Sequence, residues 1–325
     1  MRTNKVHNED IFTFQANENF KKHIKTQSKQ ALETLKKIID WKSLLKPIEQ
    51  ALSKDKSSEP VGRKPFSLTV IVRCFILQSI YGLSDPRLEE EIADRRSFQI
   101  FLEINSGDSI PDETTICRYR EYFSRLGLDK MLFESFNRQL ESRNMLLERV
   151  TLVDATIKQA QAKPGSKRDN DATFTRKRNK TYYGYKGHIG VDLGSKVIHS
   201  VEFTPANVHD SEKFDPLLRG KEKSVYADKG YAGKKRKKAL ENKGIFCGIL
   251  EKGYRNHRLT KTQIAKNKQL SRIRNIVERP FAYMKRVLGY ERCRYYDLRR
   301  NRFQFILNAT VYNMRRFLTL SMVTT

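Results

Sequence analysis

Three carboxylates in this chain sit where an acidic side chain needs a partner. Asp154 stands inside an apolar, β-branched run, residues 150–157, between Val153 and Ala155. An ionised carboxylate in such a run costs several kcal/mol unless it is paired or holds a metal. Asp228 ends a short apolar run at 225–228. Glu278 falls in a segment, 270–288, whose spacing predicts a long helix. At about 100° per residue, Arg274, Glu278 and Lys285 fall within about 60° of one another, so one helix edge carries cation, carboxylate and cation. Pro280 should kink that helix, because it lacks a donor. Three convergent carboxylates on a basic protein suit two divalent ions around a phosphodiester. Hard oxygen ligands select Mg²⁺ or Mn²⁺. In such a site one ion activates the attacking oxygen and the other stabilises the leaving oxygen.

The elements that position these residues can be read from the pattern. Residues 150–157, 182–192, 196–204, 225–228 and 245–250 read as five strands. Asp210 is expected to cap a helix through Phe214, Leu217 and Leu218. A basic helix is expected at 234–241, and the helical segment 303–318 is expected to be amphipathic and to pack on the sheet. The order β-β-β-α-β-α-β-α is that of an α/β, ribonuclease-H-like fold, a mixed sheet with flanking helices. In that sheet the first and fourth strands are neighbours, so Asp154 and Asp228 are expected to meet.

Upstream of residue 150 the chain reads as helical. Leu68, Ile71, Val72, Phe75, Ile76, Ile80 and Leu83 trace one apolar helix face. Asp112 is positioned to cap the next strongly helical stretch, which carries Arg118 and Arg120 early. An arginine-bearing helix after a turn resembles the second helix of a helix-turn-helix, so both arginines are candidate DNA contacts. Further upstream, Trp41 reads as a core anchor, and Pro47 and the polar stretch 53–60 as punctuation. The expected organisation is an N-terminal helical arm and linker at 1–62, an all-helical DNA-binding domain at 63–149 and the catalytic domain at 150–325.

Composition narrows the partner. The 325 residues include 64 Lys+Arg against 37 Asp+Glu, a net charge of +27. That points to a polyanion, most simply nucleic acid. A basic ribosomal-type protein would account for the charge but not for the acidic residues above. Four widely separated cysteines argue against a disulfide framework or zinc ribbon and fit a reducing cytoplasm. No run of 18 apolar residues exists and residues 1–10 carry no apolar core, so neither a membrane span nor a signal peptide is expected. Lys186 and His188, two apart on the second strand, share one face and are candidate DNA contacts. The cluster of basic residues at 234–238 is expected either to track phosphates or to be a solvated helix face.

Five blocks carry a resemblance: VDAT at 153–156, YKGHIGVD at 185–192, ANVHD at 206–210, YADKGY at 226–231 and VERPFAYMK at 277–285. In this order they resemble the motifs of bacterial DDE transposases, most nearly the insertion sequence five family within the group related to insertion sequence four. Arg274, Glu278 and Lys285 look like that group's motif around its catalytic glutamate. The resemblance covers about residues 66 to 320. It implies catalytic, metal-binding Asp154, Asp228 and Glu278, metal-dependent DNA cleavage with two ions, and strand transfer by a 3′-hydroxyl. Double-stranded DNA is the implied partner, both terminal inverted repeats and target. A homo-oligomer is expected in the synaptic complex, and a cytoplasmic, bacterial, nucleoid-associated location when bound to DNA. Two rival readings share the charge: a DNA-binding regulator without catalysis, and a nuclease of the same fold that only cleaves. Residues 1–60 and 163–180 match no block.

Overall fold

The computed structural model describes residues 27–55, 66–105, 107–146, 149–177, 179–254 and 258–322. The leading segment 1–10 and most of the linker expected at 53–60 lie outside these residues. The helical half comprises α1 (Gln27–Ile38), α2 (Trp41–Lys54), α3 (Leu68–Tyr81), α4 (Asp85–Asp94), α5 (Arg96–Leu102), α6 (Glu113–Leu126) and α7 (Leu128–Ser142). Side-chain oxygens of Asp40, Ser67, Ser84 and Asp112 accept from backbone N–H groups of the first turns of α2, α3, α4 and α6, satisfying donors the helix cannot. Gly82 and Gly127 end α3 and α6 in the left-handed region, at φ 65° and 67°, where a side chain would be strained. Pro47 lies inside an unbroken α2 and does not punctuate it. α3 is buried on most sides rather than along one stripe, since Ile71 through Ser79 are all inaccessible. No single helix among the described residues is long and apolar enough to cross a membrane.

The sheet comprises β1 (Val150–Gln159), β2 (Thr173–Lys177), β3 (Lys180–Asp192), β4 (Ile198–Pro205), β5 (Ser224–Ala227) and β6 (Phe246–Ile249). β1 pairs antiparallel with β3, β3 antiparallel with β4, β1 parallel with β5, and β5 parallel with β6. The ladder β4-β3-β1-β5-β6 is the ribonuclease-H-like arrangement that the sequence order implies. β2 is an addition. It forms a hairpin with the first residues of β3 and lies in the stretch 163–180, which matches no sequence block.

Three further elements depart from the pattern. The segment after β4 forms two short 3₁₀ turns, Asp210–Lys213 and Asp215–Leu217, in place of a helix, and His209 rather than Asp210 is the cap. α8 (Lys234–Asn242) is the expected basic helix. The long helix is two helices, α9 (Lys261–Arg274) and α10 (Glu278–Arg286), separated by a 3₁₀ turn at Asn275–Val277. The Pro280 ring clashes with the carbonyl four residues back, and Ile276 is the centre of that turn, so the break falls where the proline demands it. α11 (Leu298–Ser321) is buried on nearly all sides rather than amphipathic.

That burial has a cause: α11 lies between the sheet and the helical half. Phe305 packs against Gly187 of β3, where a Cβ would come within 2.4 Å of its ring. Asn313 bonds to both backbone groups of Ile198 in β4 and to Asn137 in α7. Asn308 accepts from Ser79 of α3 at 2.6 Å. One apolar core runs through both halves, from Leu32 to Leu318. A smaller one, Val153, Phe214, Leu217, Val225, Ala227 and Tyr231, lies on the other face of the sheet.

Candidate active site

Register brings the two aspartates together. Val153 of β1 pairs in parallel with Ala227 of β5, both fully buried. Asp154 and Asp228 are the next residues on each strand. Parallel neighbours share a face, so both carboxylates emerge on the same side, where the apolar ladder ends. Asp228 N-caps the 3₁₀ turn Lys229–Tyr231, with Oδ1 accepting from Lys229 N at 2.7 Å. Asp154 Oδ1 accepts from Ala155 N at 2.9 Å.

Glu278 arrives through Arg274. The Arg274 guanidinium donates from Nη1 to Asp154 Oδ2 at 3.3 Å and from Nη2 to Glu278 Oε1 at 3.0 Å. The pairing with Glu278 spans the 3₁₀ break. Glu278 itself is 61% exposed, whereas Arg274 and Asp154 are at 14% and 18%. Burial pushes the Asp154 carboxyl up to about 6, with the like charge of Asp228 adding to the rise; Arg274 and the Ala155 N–H pull against it. The oxygen-only donor set suits Mg²⁺ or Mn²⁺. Among the described residues no three metal-ligating side chains already surround one point. Arg274 lies between two of the three candidates, and Asp228 is close enough to Asp154 for its charge to be felt there.

Lys285 is exposed on α10, seven residues beyond Glu278 and on the same edge. Its charge reaches Lys158, four residues past Asp154 on β1. Lys158 is 1% exposed, with its ammonium donating to Tyr290 O and 4.0 Å from the centre of the Tyr290 ring. Burial and the neighbouring Lys285 pull it down to about 7. With Cys293 N donating to Gln159 O, Lys158 fastens the end of the α10 segment to β1. Nothing in the sequence pattern distinguishes Lys158 from a surface lysine. Lys177, at the end of the unanticipated β2, also lies within the field of Asp154.

Four of the candidate DNA contacts divide between surface and interior. Arg118 is exposed on α6. Arg120 is not available to DNA: it is 3% exposed, ion-paired to Asp85, bonded to Gln78 and placed 4.9 Å from the centre of the Tyr295 ring. On a helix, residues two apart point to different sides, so Arg118 and Arg120 could not both face outward. His188 is likewise interior, at 0% exposure, with Nε2 3.0 Å from Thr204 Oγ1. Burial holds its imidazole down at about 4, hence neutral. β1 pairs Asp154 with Ile189 but Ala155 with His188 and Ile157 with Lys186. His188 and Lys186 therefore share a face, as the spacing requires, but it is the face opposite Asp154.

Lys186 spends its ammonium on the loop after β4, donating to Val208 O at 2.9 Å and pairing with Asp210 Oδ1 at 2.9 Å. Arg236 of α8 continues the tie, donating to Ser211 O at 2.7 Å and Tyr231 O at 2.6 Å. The loops after β4 and β5 are thus locked together beside Asp228. Tyr231 sits at their junction, buried and within the fields of Asp210, Asp154 and Asp228, all of which raise its hydroxyl. Arg236 is one member of the basic cluster at 234–238 that faces inward. Outside the lock, Lys234, Lys237, Lys252 and Arg258 line an open groove of about 510 Å³ past the ends of β5 and β6, with exposed Tyr254 at its side.

Comparison with known proteins places two family models on the chain. One described as a transposase DDE domain matches residues 146–314, and one described as a transposase domain matches residues 18–122. Among solved structures, a piggyBac transposase in a synaptic complex with hairpin DNA is similar at 10% identity. That match covers 90% of this chain and 73% of the other, with a TM-score of 0.47.

Proposed function

This chain belongs to the transposase DDE domain family, and from that premise we propose that it binds the terminal inverted repeats of an insertion sequence and catalyses their cleavage and strand transfer. The observation that carries the reading is the placement of Asp154 and Asp228 side by side just past the end of the parallel β1–β5 ladder, with Glu278 tied to Asp154 through Arg274. The ordered sequence blocks support the insertion sequence five group in particular.

In this reading Asp154, Asp228 and Glu278 hold two Mg²⁺ or Mn²⁺ ions, the divalent chemistry DDE transposases use. The ions supply charge for the attacking and leaving oxygens. Asp154 and Asp228 fix the geometry because their backbones are set by the β1–β5 ladder. Glu278 closes the site from α10. Lys285, on the same helix edge, places a cation against the terminal phosphate, as a point charge rather than a ligand. Cleavage forms a bond from water oxygen to phosphorus and breaks the bond to the 3′-oxygen, leaving a 3′-hydroxyl. In transfer that hydroxyl attacks a target phosphorus and a target 3′-oxygen leaves.

Arg118, Arg274, Lys285 and the cations lining the groove are the surface on which DNA is expected to lie, and a homo-oligomer is expected in the synaptic complex. The domain roles follow the same lines, with residues 63–149 contacting DNA and 150–325 carrying the chemistry. The test compares wild type with Asp154→Asn on a labelled terminal-repeat fragment with Mg²⁺. The variant should bind the fragment normally and neither cut nor join it. Wild-type-like cleavage by the variant refutes the metal role. Cleavage without joined product by the wild type favours the nuclease reading, and binding without cleavage by the wild type favours the regulator.

A further inference from the structure

Arg274 occupies an unusual place in this site. Its two terminal nitrogens take Asp154 Oδ2 and Glu278 Oε1, the oxygens of two of the three proposed ion ligands. Arg274 Nη2 also donates to Asn275 Oδ1 at 3.2 Å. The Nε of Arg274 is buried and, among the described residues, has no hydrogen-bond partner. A guanidinium with one donor unmet and a 3.3 Å contact to Asp154 is held, but not in its best geometry. Its Cα is the last residue of α9, at the joint with the 3₁₀ turn, so the side chain leaves the backbone where helical packing ends.

We infer that Arg274 is a gate on the carboxylate site: it competes with divalent ions for Asp154 and Glu278, and an ion loads fully only as the guanidinium turns away. This rests on the ion-binding reading of the same carboxylates. The acceptor proposed for the displaced fork is a DNA phosphate, which arginine binds bidentately. The same side chain therefore serves two states. Before loading it neutralises part of the charge of the two carboxylates it bridges and keeps Glu278 turned toward Asp154. After loading it is a backbone contact for DNA.

The consequence is a sign that an ordinary organising residue would not give. Removing an organiser of the site weakens ion binding; removing a competitor strengthens it. The measurement is Mn²⁺ affinity of the DNA-free protein, by electron paramagnetic resonance titration, for wild type, Arg274→Gln, Arg274→Lys and Asp154→Asn. Arg274→Gln should bind Mn²⁺ at least about fivefold tighter than wild type, the lower end of a typical coupling between sites. Arg274→Lys, which keeps the charge but cannot bridge two carboxylates, should fall between them. Circular dichroism and melting confirm the fold of each variant. If Arg274→Gln does not fold, absence of any tightening in Arg274→Lys overturns the gate. Equal or weaker Mn²⁺ binding by a folded Arg274→Gln also overturns it. Asp154→Asn separates the two ideas. Unchanged Mn²⁺ affinity there means the ions bind elsewhere, and the ion-binding reading itself fails. Lost affinity there, with no gain in the Arg274 variants, sinks the gate alone.

Discussion

Replacing Asp154 with asparagine should stabilise the ion-free protein while abolishing its chemistry. The folded structure raises the Asp154 carboxyl from 3.8 to about 6, chiefly by burial. The shift is roughly two pH units, and each unit is about 1.4 kcal/mol, so above pH 6 the ionised carboxylate destabilises the fold by up to about 3 kcal/mol. The asparagine amide removes the charge and keeps the acceptor for Ala155 N. Arg274 retains Glu278 and Asn275 as partners. The sign follows from linkage. A folded-state value raised above the unfolded one means the penalty is complete above pH 6. It shrinks as pH falls through 6 and is gone below 3.8, where both states are protonated.

The assay is denaturant unfolding of wild type and Asp154→Asn in EDTA at several pH values. The variant should be more stable by up to about 3 kcal/mol at pH 8, with the gap closing toward pH 4. Saturating Mg²⁺ should narrow or reverse the gap, because only the wild type gains the binding free energy. A variant less stable than wild type at pH 8 in EDTA, or a gap independent of pH, would refute the claim that burial of this charge is costly.

Gly187→Ala should destabilise by about 1–3 kcal/mol through overpacking, since its Cβ meets Phe305 at 2.4 Å, and Phe305→Leu should partly rescue it in a double-mutant cycle of melting curves. His199 is 1% exposed and burial holds its imidazole down at about 3, so the unfolded state alone takes up a proton below pH 6.5. Relative to His199→Gln, the wild type should lose about 1.4 kcal/mol of unfolding free energy per pH unit as pH falls from 6.5 toward 4; parallel pH profiles would contradict this. Lys285→Ala should slow single-turnover end cleavage by at least about tenfold, roughly 1.4 kcal/mol of barrier, with Mn²⁺ affinity unchanged; normal cleavage removes Lys285 from the site. The logarithm of DNA affinity should fall with the logarithm of salt at a slope steeper than about −3, since each neutralised phosphate on duplex DNA contributes about −0.9. A shallower slope would mean the charge of +27 serves something other than DNA.

What was legible in the sequence follows from what is local. The chain order of the strands, the Asp112 cap and the basic helix at 234 rest on short-range patterns, and the adjacency of Asp154 and Asp228 followed from the fold that this order implies. Face assignment on β3 was not legible, because it depends on register with β1. One pairing, Ala155 with His188, turns both Lys186 and His188 away from the carboxylates. The fate of Arg120 was hidden for a similar reason: its partner Asp85 is 35 residues away. α11 read as amphipathic because its polar residues, Asn301, Gln304, Asn308 and Asn313, break the apolar pattern. Three of them are buried with partners, Asn301 bonding to Tyr295 and Asp297 backbone, Asn308 to Ser79, and Asn313 to β4 and α7.

The three carboxylates are held with unequal firmness, and that inequality bears on how such a site works. Asp154 and Asp228 follow two fully buried residues, Val153 and Ala227, on paired strands, so moving either one means breaking the ladder and its core. Glu278 stands at the start of α10, exposed, beyond a joint that Pro280 imposes, with Arg274 as its side-chain tie to the aspartates. In the proposed site two carboxylates are therefore set by folding, while the exposed Glu278 side chain is left to rotate about its own bonds. A phosphodiester reaction that cuts one bond and makes another must accommodate different attacking and leaving oxygens around the same ions. A site with a fixed pair and an adjustable third ligand can do so without disturbing the sheet. In the proposed gate, release by the Arg274 guanidinium frees the Glu278 side chain, while α10 itself stays anchored through buried Phe281 and Met284.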